Sequence, residues 1–228
     1  MMGTEQPLVP LSVYTEAGDG DTNVHTYNEN VLKWGYTCLP LTVAIFRNHM
    51  PEKSFPEQMK WLDVAAGSGM VAEEFDKAGV RFKAAVALDQ SIPMLKLAQT
   101  TGKYELLLAH DISQELPFLD DSFDLVTMIG ASTYVDCRWG FLREFTRVIK
   151  TQGLIILTVR DDELHTKMWA EYVTQMLEEK LVEELEGPFR HKPEPIPYLP
   201  NHPTYADKVK VHMIVLRVTK VGREEAAK

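Results

Sequence analysis

A glycine turn and a carboxylate are spaced as a nucleoside-binding site requires. Residues 62–69 read LDVAAGSG, a short apolar run that gives way to small residues. Such a turn lets the backbone approach a ligand closely, because large side chains are absent. Asp89 closes the next apolar run, at the distance from Gly69 that a ribose acid takes. A carboxylate there can accept both hydroxyls of a ribose. Together they mark a nucleoside-containing ligand at the carboxyl edge of a doubly wound sheet.

The residues alone leave the ligand open. Gly67-x-Gly69-x-x-Ala72 with Asp89 also fits the dinucleotide fingerprint. Asp63, four residues before Gly67, would repel a pyrophosphate but suits the ammonium group of an amino acid. Asp111, in His110-Asp111-Ile112 after a third apolar run, could accept the exocyclic amine of adenine. No Tyr is followed four positions later by Lys, so the short-chain dehydrogenase pair is missing. Tyr134 and His110, near strand ends, are candidates to orient an acceptor. His191 and His202 fall in a Pro-rich stretch and read as surface loop residues. No His and Asp run has metal-ligand spacing, so no metal is expected.

The elements that must position these groups alternate. Apolar runs at Trp61–Ala66, Phe82–Leu88, Tyr104–Ala109, Phe123–Ile129 and Leu154–Arg160 read as strands. Helical patterns at Met70–Ala78, Ser91–Thr100 and Trp139–Lys150 separate them. Strands joined by helices give a parallel sheet covered on both faces. Ser91 is the expected N-cap of its helix, and Gly79 the C-terminal stop of the helix before it. Upstream, residues 31–46 carry a helical pattern that Pro40 should break or kink. Downstream, Asp162–Glu186 reads as one long amphipathic helix. Six prolines follow between Pro188 and Pro203, and Val209–Val218 is a last strand that need not be parallel to the others.

A chain of 228 residues suits one domain. Its formal charge of −9 repels polyphosphate and disfavours a nucleic-acid substrate. The segment after the fourth strand, MIGAS at 128–132, lacks the Asn/Asp-Pro-Pro-Tyr signature of enzymes that methylate nucleic-acid amines. Neither Cys38 nor Cys137 follows a proline, so a cytosine-C5 nucleophile is not expected. Two cysteines fit a reducing compartment. With no signal peptide and no apolar run of about 20 residues, a cytoplasmic or nuclear chain without a membrane partner is expected.

These motifs resemble the class I S-adenosylmethionine-dependent methyltransferases, within their small methyltransferase-like group. LDVAAGSG stands where that family has its Gly-rich first motif. ALDQSIPMLKLA at 87–98 stands where the second strand and ribose acid lie. LPFLDDSFDLV at 116–126 resembles the run into the fourth strand, and TRVIKTQGLIILTVR at 146–160 the turn into the fifth. The resemblance implies an α/β, doubly wound, mostly parallel seven-stranded sheet with an antiparallel final strand, the Rossmann-like methyltransferase fold. It implies a tail over 1–23 and one methyltransferase domain over 24–228. That domain divides into a helical cover (24–58), a cofactor-binding core (59–160), and a C-terminal helix, Pro-rich loop and last strands (161–228).

The implied cofactor is S-adenosyl-L-methionine, held by Tyr27, Tyr36, Asp63, Ala65, Gly67, Gly69, Asp89, Gln90, Met94, Asp111, Ile112 and Ile129. Its sulfonium, ammonium and carboxylate, with no phosphate, suit an acidic pocket. Tyr27 and Tyr36 fall in the N-terminal cover, expected to be mobile until cofactor binds. Ala65 stands where the family has Gly, which a backbone φ below zero would accommodate. Of the Lys-Pro-Gly-Gly turn only Gly153 survives. Methyl transfer to a small molecule or protein by a monomer is the leading expectation. A nicotinamide-dependent oxidoreductase and a non-catalytic S-adenosylmethionine-binding protein are the competing ones. The Pro-rich stretch and the N-terminal helix are expected to wall the acceptor site.

Overall fold

The apolar runs pair as five parallel strands, and the computed structural model describes residues 23–50, 55–191, 193–206 and 208–221. The expected tail at 1–23 lies outside these, Asn23 excepted. The strands are β1 (Lys60–Val64), β2 (Ala84–Asp89), β3 (Leu106–Ala109), β4 (Phe123–Met128), β5 (Ile149–Arg160), β6 (Val182–Glu186), β7 (Ile196–Pro197) and β8 (Lys210–Val218). Their order is β3-β2-β1-β4-β5-β8-β6, seven strands in one path, with the two-residue β7 added against β8. β1 to β5 pair in parallel, whereas β8 runs antiparallel to both β5 and β6. The chain reverses its direction of winding between β1 and β4, so a crevice opens at their carboxyl ends.

Alternation along each strand divides the core. Leu62, Val64, Val126, Met128, Ile155 and Leu157 face α5 (Phe141–Val148) and α6 (Trp169–Glu178). Trp61, Leu125, Ile156 and Val215 face the other way, toward α2 (Cys38–His49) and α3 (Met70–Lys77). Both faces are covered, which is why the strands read as continuous apolar runs. The expected caps form: Ser91 accepts from the Met94 N–H at 3.4 Å to open α4 (Ile92–Thr100), and Gly79, at φ +73°, follows α3.

Three expectations are corrected. Pro40 does not break a helix: it sits in the first turn of α2, where its missing N–H would have no partner anyway. The break falls earlier, at Gly35 with φ +77°, after α1 (Tyr27–Lys33). The long C-terminal helix is only α6. It ends at Glu178, the chain turns at Lys180, with φ +54°, and then becomes β6. There the period changes from helical to alternating, with Val182 and Glu184 inward and Glu183 outward. The buried Glu184 carboxylate looks polar in sequence but accepts from the Phe189 and Arg190 N–H groups. His202, expected at the surface, is buried: its Nδ1 accepts from the Thr204 and Tyr205 N–H groups, and its ring stacks on Tyr205.

Candidate functional site

β1 runs directly into the glycine turn at the crevice. Ala65, Gly67 and Gly69 have φ of +52°, +56° and +86°. The negative φ expected at Ala65 is therefore not found, and a left-handed L residue there costs about 1–2 kcal/mol. Hydrogen bonds hold the turn in this conformation. The Ala66 N–H donates to Leu88 O at 3.2 Å, and the Gly67 N–H to Asp89 Oδ2 at 2.8 Å. A Cβ added at Gly67 would meet nothing within 4 Å, so this residue faces open space.

Asp89 is 9% exposed rather than an edge group free of the fold. Its Oδ1 accepts from the Ser91 N–H at 2.7 Å, so one carboxylate joins the ends of β1 and β2. Burial raises its carboxyl above the usual range, against the pull of the Ser91, Gly67 and Gln90 N–H groups. Asp63 is deeper, at 1% exposure. Thr127 and Tyr104 donate to its two oxygens, each at 2.6 Å. Burial outweighs both bonds and pushes its carboxyl up to about 7.

Above the turn lies a cleft of about 320 Å³. The N-terminal segment forms one wall, with Tyr27, Val31 and Trp34 of α1 and its C-cap, then Tyr36. Asn28 is hydrogen-bonded to the Ser68 hydroxyl, which fixes α1 over the turn. Tyr198, Leu199 and Tyr205 of the Pro-rich loop form the opposite wall. The two walls meet: the Asn201 N–H donates to Trp34 O at 3.0 Å, and the Tyr36 and Tyr198 rings stand edge to face at 5.4 Å. Ile129, Gly130, Thr133 and Tyr134 beyond β4, and Arg160 at the end of β5, complete the cleft.

Of the residues singled out from sequence, Tyr27, Tyr36, Ala65, Gly67 and Ile129 come together on this cleft, as does Tyr134. Asp63, Gly69 and Asp89 stand behind the turn. Met94 and Ile112 are buried elsewhere in the core. Gln90 and Asp111 are exposed, and the Asp111 carboxylate accepts from the Ser113 N–H. His110 does not reach the cleft wall. Trp34, Tyr198, Tyr205 and Arg160 were missed. The density of aromatic residues within the Pro-rich loop was the available signal for two of them.

Burial raises the hydroxyls of Tyr27, Tyr36 and Tyr198 above the ordinary tyrosine range. At neutral pH they are donors, not bases. Burial pushes the Cys38 thiol up to about 12, so it is no nucleophile. Among the described residues, no group of three or more His, Cys, Asp or Glu could hold a metal, and no helix is long and apolar enough to cross a membrane.

The site's groups fit S-adenosylmethionine. The open turn at Gly67 leaves room for an amino-acid moiety, and the aromatic faces on the cleft can attract a sulfonium. Residues 62–157 match the family described as "Methyltransferase domain". Methyltransferase-like protein 27 of Homo sapiens is 33% identical over 135 residues, 59% of this chain and 53% of that protein. Demethylmenaquinone methyltransferase of Corynebacterium urealyticum is 38% identical over 99 residues, 43% of this chain and 40% of that one. The chain thus spans about half the length of the curated relatives it matches. A solved S-adenosylmethionine-dependent methyltransferase from Aquifex aeolicus superposes with TM-score 0.57 at 16% identity, over 88% of this chain and 99% of that one, which establishes the fold.

Proposed function

We propose that this protein, whose residues 62–157 match a methyltransferase domain family, transfers the methyl group of S-adenosyl-L-methionine to a small molecule or protein. One observation carries the reading. The left-handed glycine turn faces open space at the sheet's switch point, tied to Asp89 behind it and roofed by α1. When bound, the cofactor supplies an electrophilic methyl group. This chain's part is to bind, orient and exclude water. The Gly67 turn admits the methionine end, and Asp89 keeps lone pairs for ribose hydroxyls beyond those given to Gly67 and Ser91. Tyr27, Tyr36 and Tyr198 shield the reacting centre with rings that attract positive charge.

The nicotinamide reading is weaker because the sequence matches of this chain are to methyltransferases, and because its last long strand, β8, runs antiparallel to β5. The net charge of −9 disfavours nucleic acid as acceptor. Gly67→Val tests the assignment. Its side chain enters the cleft rather than the core, so S-adenosylhomocysteine binding should be lost, while the strain of a β-branched residue at φ +56° lowers the melting temperature by itself. Retained affinity in a destabilised variant overturns the site.

A further inference from the structure

The cleft's side chains are unusual in what they lack. No Asp, Glu or His of the described residues lines it. An ammonium acceptor must lose a proton before it can attack, and no carboxylate or imidazole on this wall can take one. A cationic acceptor would also lie between two positive groups, the sulfonium and Arg160.

Among the described residues, Arg160 is the one charged group on the wall. Its Nε and Nη2 bond Asp162 at 3.0 and 2.6 Å, and Glu163 lies 4.0 Å from Nε, itself 3.7 Å from Lys167 Nζ. Nη1 takes no partner among the described residues. Trp34, Tyr36, Tyr134, Tyr198 and Tyr205 supply flat faces around it. Rings of this kind stack on a planar substrate and exclude water from it. The hydroxyls of Tyr36 and Tyr198, held neutral by burial, can donate to an oxyanion.

From this wall we infer that the acceptor is a planar ring compound presenting a carboxylate, an aryl carboxylate, held by Arg160. The inference rests on the methyl-transfer reading and names the substrate class of that same cleft. The acceptor arrives already deprotonated, so no base is required. An oxygen lone pair forms the C–O bond as the methyl–sulfur bond breaks. The breaking pair stays on sulfur, so carboxylate and sulfonium become a neutral methyl ester and a thioether. Charge cancels in that step, which an environment dry and poor in ions favours.

The full chain, saturated with S-adenosylhomocysteine, is titrated with two probes of equal ring size, 2-naphthoate and 2-naphthylmethylammonium. Naphthoate should bind at least tenfold more tightly. Arg160→Gln should weaken naphthoate about tenfold while the variant still binds S-adenosylhomocysteine. Equal or tighter binding of the ammonium probe overturns the inference, as does unchanged naphthoate affinity in R160Q. If S-adenosylhomocysteine binds but neither probe does, the acceptor class falls and methyl transfer stands. If S-adenosylhomocysteine does not bind the wild-type chain, methyl transfer falls and this inference with it. The comparison of probes on the wild-type chain needs no variant, so misfolding of R160Q cannot obscure it.

Discussion

Replacing Asp63 by asparagine should make the protein less sensitive to alkali. The carboxylate is 1% exposed and bonded to Thr127 and Tyr104, and Thr127 in turn accepts from Trp61 Nε1 at 2.8 Å. Its carboxyl sits at about 7 instead of 3.8. The folded state therefore holds a proton that the unfolded chain has released. Stability from this group is full below about pH 4 and is lost as pH rises through 7. That displacement corresponds to about 4 kcal/mol in all, of which about 3 kcal/mol is lost between pH 5 and pH 8. The side chain introduced by D63N stays neutral throughout, and both hydroxyl partners can rotate to serve its amide. Urea unfolding of wild type and D63N at pH 5, 6.5 and 8 reads the difference directly, because the other titrating groups are common to both. The two proteins should diverge by about 3 kcal/mol, with D63N gaining toward pH 8. Parallel stability profiles would refute the reasoning and leave Asp63 ionised in the folded state.

Asp89→Ala should cost about 2 kcal/mol of stability, because the Gly67 and Ser91 N–H groups lose their acceptor. It should also weaken S-adenosylhomocysteine by roughly 30-fold or more in calorimetry; unchanged affinity removes Asp89 from the site. Gly153→Ala should destabilise by about 1–3 kcal/mol in urea unfolding, since its Cβ would lie 2.5 Å from Ile149 Cγ2 and 2.8 Å from Asp124 O. Amide exchange across residues 27–36 should slow when S-adenosylhomocysteine is added, and protection that does not change makes α1 a fixed wall rather than a lid.

β1, β2, β4 and β5 were legible because parallel pairing buries both faces, and such strands announce themselves as unbroken apolar runs; the edge strand β3 is apolar although Leu106 and Ala109 are exposed. The glycine turn and Asp89 were legible for a similar reason: only small residues and a carboxylate satisfy that geometry. Ala65 was misjudged because a backbone held by Asp89 and Leu88 can keep an L residue left-handed at a modest cost. The C-terminal part misled because Leu181, Leu185 and the preceding apolar residues fit a helical stripe as well as a strand. What decides there is non-local, the pairing of β6 with β8 and the capture of Glu184 by Phe189 and Arg190. Arg160 carries no local signal at all, since it becomes a site residue only when the Pro-rich loop and α1 close over the end of β5.

Calorimetric titration of the full chain with S-adenosylmethionine, S-adenosylhomocysteine and NAD tests the central claim most directly. Both sulfur ligands should bind at one site per chain and compete with each other, and NAD should give no heat. Binding of NAD with no response to either sulfur ligand would contradict the account and assign the glycine turn to a pyrophosphate.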